Sequence, residues 1–114
     1  MDNCIFCKIV AGQIPAKKIH EDDEIIVIED IAPAAPVHLL LVPKKHIVNC
    51  LDLEPEDGPV IGRLYQTAAR IAKEKGFAEN GFRIVNNNNS DGGQSVYHIH
   101  FHLLAGRHLG WPPG

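Results

Sequence analysis

The sequence predicts an α+β fold, a mainly antiparallel sheet carrying two helices. Three observations predict it. Short apolar and β-branched runs, such as Ile25 to Ile28, recur with turn-forming residues between them, the pattern of hairpin-connected strands. Two other stretches place their apolar residues at helical spacing. The 114-residue chain is 45% hydrophobic and has no internal repeat or dividing linker, which suits one domain spanning residues 1–114.

Each element follows in order. Ile5, Phe6, Ile9 and Val10 share one helical face, predicting a short amphipathic helix over 4–12 that Gly12 ends. Residues 17–21 and 24–29 read as two strands of a hairpin turning at Asp22-Asp23. Asp30 to Pro36 holds two prolines and reads as a loop, and the strand over 37–42 is broken by Pro43. Over 56–75, Val60, Ile61, Leu64, Ala68, Ile71 and Ala72 form one stripe, with Gly76 placed as a C-cap. A strand over 82–86, a polar stretch from Asn87 to Gln94, a strand over 95–104 and an irregular tail from Arg107 complete the chain.

The net charge of −3 and a pI near 6.1 give no basic field for gripping a long nucleic acid. A small phosphorylated substrate needs only a few local donors. No apolar run approaches the ~20 residues that span a bilayer, and Met1-Asp2-Asn3-Cys4 does not read as a signal peptide, so the expected location is the cytoplasm. A domain this small gains from burying further surface in a dimer. Of the three cysteines, Cys4 and Cys7 form a close pair that reads as metal ligands or redox groups, and Cys50 reads as a small core residue.

Tyr97-His98-Ile99-His100-Phe101-His102-Leu103 alternates polar and apolar. An extended chain then puts His98, His100 and His102 on one face and Ile99, Phe101 and Leu103 on the other. The outer two histidines stand about 13 Å apart along a regular strand. Metal–nitrogen bonds of about 2.0–2.1 Å forbid one zinc from taking all three rings. The rings must divide their labour. Upstream, Asp91-Gly92-Gly93-Gln94-Ser95 offers either a simple turn or a nest of backbone amides for an anion, with the Ser95 hydroxyl as a further donor.

His98-Ile99-His100-Phe101-His102-Leu103-Leu104 resembles the signature of the histidine triad family, His-φ-His-φ-His-φ-φ with φ apolar. The stretch 91–97, Trp111-Pro112-Pro113-Gly114, Asp30 to His38, and Val42-Pro43-Lys44-Lys45-His46 resemble the family's nucleotide-binding-protein branch. The resemblance implies a homodimer whose sheets join into a larger one, and a hydrolase of purine nucleoside phosphoramidates of the AMP or GMP type. It implies His100 as the nucleophile, forming a transient nucleotidyl-histidine. The other ring nitrogen of His100 would be held by a backbone carbonyl or by His38. His102, Ser95 and the backbone near Gly93 and Gln94 would meet the phosphate, and Ser95 or His102 would help protonate the amine. Asp30 and Ile31 fall at the nucleoside. Asn87 falls near the ribose or phosphate, or is a turn residue within the run Asn86 to Asn89.

Members of the family with such a cysteine pair bind zinc, which implies a structural Cys₂His₂ site of Cys4, Cys7, His46 and His98; the bland reading is two free thiols. No organic cofactor is expected. Trp111, in a tail stiffened by two prolines, either shapes the leaving-group pocket of a partner subunit or caps its own sheet. Dinucleoside polyphosphate hydrolysis, nucleotidyl transfer, and nucleotide binding without turnover are the competing functions. A bare metal-binding strand conflicts with the spacing.

Overall fold

The computed structural model describes residues 3–114, so the chain's first two residues lie outside it. A five-stranded sheet forms its middle, with β1 (Lys18–Glu21), β2 (Ile25–Glu29), β3 (Val37–Pro43), β4 (Phe82–Val85) and β5 (Phe101–Ala105) in the order β1-β2-β3-β5-β4. Every pairing is antiparallel. Each face carries one helix. On one side α2 (Gly58–Lys75) buries Val60, Leu64, Ala68, Ile71 and Ala72 against Val27, Leu39, Leu41, Ile99, Phe101 and Leu103, while Ile61 is only half-buried. On the other, α1 (Ile5–Val10) buries Phe6 and Ile9 against Ile26, Ile28, Leu40 and Val42. Alternation along β2 and β3 feeds both cores at once.

The expected fold class therefore holds, with three local corrections. The last strand covers Phe101–Ala105 rather than 95–104. Its partner β3 ends at Pro43, which has no amide proton to extend the ladder, and Leu41 pairs with Phe101 as the last register position. Residues 95–100 instead form a bent, irregular segment beside the sheet, with the Ile99 amide donating to Ile47 O at 2.6 Å and the Asn86 side-chain amide donating to His100 O at 3.0 Å. Second, the expected helix over 56–75 begins at Gly58, because Pro55–Asp57 forms a separate 3-10 turn closed by a capping box between Glu54 and Asp57. Third, Cys50 is exposed, and its neighbour Asn49 is the buried residue. Asn49 goes inside because its amide is fully used, accepting from Leu51 N and donating to Asn89 Oδ1 and Gln94 Oε1.

Candidate active site

His98, His100 and His102 lie on the α1 side of the sheet, and Ile99, Phe101 and Leu103 belong to the α2-side core. The alternation survives although only the last of the three histidines sits in the ladder. The rings have separate duties. His98 has no exposed surface, and its Nε2 donates to Pro43 O at 2.7 Å, which leaves Nδ1 as a lone pair. The His100 Nδ1–H donates to His98 O at 2.8 Å, so Nε2 is its unprotonated nitrogen. Of the two partners expected for that ring, the backbone carbonyl holds it. Burial, opposed by that carbonyl, pushes the His100 pKa below the ordinary histidine value and keeps the imidazole neutral.

His38 sets the state of His102. The Ala34 amide, which can only donate, reaches His38 Nδ1 at 3.0 Å, so the proton of neutral His38 sits on Nε2. That nitrogen lies 2.9 Å from His102 Nδ1, which must accept, and the His102 proton is therefore on Nε2. The chain of donors ends in an N–H on His102. Burial lowers the His102 pKa, and the neighbouring His100 and His38 lower it further. Asp30 Oδ2 stands 3.4 Å from His38 Nε2, while its Oδ1 accepts from the Ala32 amide at 2.8 Å. Asp30, His38 and His102 could be mistaken for a metal triad. The Ala34 amide argues otherwise, because metal on His38 Nε2 would leave two N–H groups facing each other at Nδ1.

His100 and His102 open on a cavity of about 240 Å³. Ile5, Phe6 and Ile9 of α1, Asp30, Ile31, Leu40 and Ser95 line it. Ile31 is fully exposed at its rim, an apolar side chain with nothing yet against it. Three of the four asparagines are taken by the fold. Asn86 holds His100 O, Asn88 accepts from Cys50 N, and Asn89 accepts from Asn49. Asn87 is the one whose side chain makes no hydrogen bond among the described residues.

The amides of the glycine loop already have partners within the chain. The Gly93 and Gln94 amides donate to Ser90 O and Asn89 O, each at 3.0 Å. Gly92 is required because a Cβ there would lie 2.5 Å from Asn88 O, and Gly93 because its φ is +79°. Gln94, expected to meet nucleotide, turns inward and is buried. Its Oε1 accepts from Asn89 N and Asn49 Nδ2, and its Nε2 donates to Val48 O and Val96 O. It holds the backbone on either side of Ser95 rather than facing the cavity.

Beside His98 a second cluster forms. Cys4 Sγ and Cys7 Sγ lie 3.3 and 3.6 Å from His98 Nδ1, Cys7 Sγ lies 3.3 Å from His46 Nδ1, and the two Nδ1 atoms are 3.1 Å apart. All four ligand atoms fall within 4.8 Å of one another. Ligands about 2.0–2.3 Å from a shared ion in a tetrahedron stand roughly 3.3–3.8 Å apart, so the four residues fit a tetrahedral metal. The chemistry agrees with the geometry. Burial and the adjoining Cys4 push the Cys7 thiol above its ordinary pKa, a crowding of sulfurs that a dication relieves. The bond from His98 to Pro43 O is the kind of outer contact that would orient a metal-bound imidazole.

Sequence reasoning missed Phe6 as a site residue. It packs edge-on between His98 and His100, with ring centroids 5.7 and 5.0 Å apart. Its place beside Cys7 on a predicted apolar face was the only available signal. Trp111 is 81% exposed and stands clear of the cavity, on a tail tied down where Arg83 donates to Leu109 O and Gly110 O.

Residues 3–110 match the family model described as "Scavenger mRNA decapping enzyme C-term binding". The chain is 46% identical to a 14 kDa zinc-binding protein of Brassica juncea, over 96% of this chain and 98% of that protein. It is also 46% identical to the adenylylsulfatase HINT1 of Arabidopsis thaliana, over 96% of this chain and 76% of that one. A HIT family hydrolase from Legionella pneumophila superposes with a TM-score of 0.96 at 49% identity, covering 98% of this chain and all of the other. Three histidines on alternate positions, divided between a cluster with metal-ligand chemistry and a cavity, and likeness along almost the whole length place this chain in the histidine triad (HIT) family.

Proposed function

We propose that the chain hydrolyses the P–N bond of purine nucleoside phosphoramidates, with His100 as nucleophile. One observation carries the reading: a neutral imidazole is pinned by a backbone carbonyl so that its free nitrogen belongs to a cavity also lined by Asp30, Ile31, Ser95 and His102. Nε2 of His100 attacks phosphorus, the P–N bond breaks, and the amine leaves with a proton supplied by Ser95 or His102. Water then cleaves the nucleotidyl-histidine, its proton returning to the group that protonated the amine, which releases nucleoside monophosphate and frees His100.

The Nε2–H of His102 donates to a non-bridging oxygen, offsetting charge that builds there. A phosphoryl oxygen shares the Gly93 amide with Ser90 O, and the Ser95 hydroxyl adds a second donor. Asp30 Oδ2 accepts from a ribose hydroxyl, Asn87 supplies its unused amide nearby, and the base covers Ile31. Zinc on Cys4, Cys7, His46 and His98 is structural, stapling α1 to the sheet. Subunits pair as a homodimer, with β4 as the free sheet edge on Trp111's side of the chain. Among the described residues no helix is long and apolar enough to cross a membrane, and the proposed setting is the cytoplasm.

The likeness to an adenylylsulfatase favours a second reading, in which the same nucleophile displaces sulfate rather than an amine. Turnover should therefore be compared on adenosine phosphoramidate, adenylylsulfate and a diadenosine polyphosphate. The phosphoramidate is expected to lead, and His100→Ala to lower its turnover by about 10³-fold or more, the scale of losing a nucleophile. Preference for either other substrate reassigns the leaving group, and near-normal activity in the variant removes His100 from the mechanism.

A further inference from the structure

We infer that the Cys4–Cys7–His46–His98 cluster is a clamp that closes α1 over the nucleotide cavity, so that metal occupancy sets affinity for the nucleoside monophosphate. The inference rests on the nucleotide reading of that cavity. Ligand and wall residues alternate within a single turn of chain. Cys4 and Cys7 are cluster members, and Ile5 and Phe6 between them line the cavity. Ile9, one turn on, completes that face of α1.

α1 has six residues, far below the ~12–15 at which an isolated helix becomes even marginal in water. It persists only through what holds its side chains. Two attachments do so: burial of Phe6 and Ile9, and the sulfurs of Cys4 and Cys7 gathered at His46 and His98. His46 lies just past the end of β3 and His98 just before β5, so both imidazoles belong to the sheet side. A metal at the cluster thus joins the cavity's movable wall to its fixed floor.

The floor feels the same joint. His98 contributes Nδ1 to the cluster and its carbonyl to the His100 Nδ1–H, and Phe6 wedges between the two rings. Without metal, α1 retains only its apolar attachment. The cavity is then complete for a fraction of the time, and apparent affinity falls by that fraction.

The test uses zinc and AMP. Protein of measured zinc content is compared with chelator-stripped protein and with stripped protein given zinc back. AMP affinity is read by calorimetry, and amide exchange is followed along the chain. Stripping should weaken AMP binding by about tenfold or more, as when α1 is docked about one-tenth of the time. It should speed exchange in residues 5–13 while leaving β2, β3 and β5 protected, and zinc should restore both. Ile5→Ala, which trims the cavity wall at a half-exposed residue outside the core that anchors α1, separates wall from clamp: it should bind zinc and exchange along α1 normally yet bind AMP more weakly than the parent protein. Equal AMP affinity with and without zinc, or α1 exchange indifferent to zinc, overturns the clamp. Absence of AMP binding in both states overturns the nucleotide reading instead, and the clamp is then decided by exchange alone.

Discussion

Gln94 shows how much of this site depends on a buried residue that does not line the cavity. Its amide makes four hydrogen bonds, to Asn49, Asn89, Val48 and Val96, and so ties the 86–96 loop to the segment that follows His46. Replacing it by Ala leaves buried donors and acceptors unmatched, each costing about 1–3 kcal/mol where water cannot enter. Gln94→Ala is therefore expected to lose about 2–3 kcal/mol of stability in urea unfolding, partial water entry offsetting the rest. Ser95 loses its support in the same step, so turnover should fall as well. A stability change within ±0.5 kcal/mol, the range of ordinary surface substitutions, contradicts the role given to this amide.

The elements explain what could be read in the sequence and what could not. Period-2 and period-3.6 patterns report burial, and burial matched: α2, the 18–29 hairpin and the two faces of the histidine segment lie where the patterns put them. Ladder hydrogen bonds leave no such mark. His98, Ile99 and His100 alternate like a strand because they are buried toward both sides of the sheet, yet the ladder with β3 has already ended at the Leu41–Phe101 pair. Polar residues that serve the fold misled for the same reason. Gln94 and three asparagines carry the composition of a loop, and only their partners reveal that they are structural. Pairings set by close approach in three dimensions, such as Phe6 with His100, had no sequence signal beyond a shared apolar face.

Within the hairpin, Asp22 provides a pH-dependent contribution. Its Oδ1 accepts from the Glu24 and Ile25 amides, and its Oδ2 meets His20 Nε2 at 2.7 Å. Desolvation raises its pKa, but the Glu24 amide, His20 and the Ile25 amide outweigh it and hold the carboxyl at about 2. A carboxyl depressed in the folded state stabilises above its unfolded pKa of about 3.9 and loses that contribution as pH falls toward the folded value. Asp22→Asn should thus be less stable than the parent protein at pH 6, with the difference vanishing between about pH 4 and pH 2. A gap that persists unchanged at pH 2 points to packing rather than charge.

At the scale of the whole molecule, the tail stands apart from everything that holds the site. Arg83 fixes it as far as Gly110, and beyond that Trp111 projects into solvent. A large exposed aromatic on a proline-stiffened arm is suited to a neighbouring surface, which the proposed homodimer supplies. Deleting residues from Leu109 onward should alter the ranking of amine leaving groups by up to about 10–200-fold, the worth of a pocket's apolar contact, with AMP affinity nearly unchanged. An unaltered leaving-group profile in the truncated protein takes the arm out of the reaction.

The histidine segment has one more consequence. Ile99, Phe101 and Leu103 are committed to the α2-side core, and the histidines between them contribute little to it. Selection for shape and selection for reactivity therefore act on alternate positions of one short stretch. On the proposed mechanism, replacing His100 would remove the nucleophile while leaving Ile99, Phe101 and Leu103 in the core, and a chain so changed would be a receptor for the nucleotide. Catalyst and sensor would then differ by a single codon, with the odd-numbered residues as the inheritance both share.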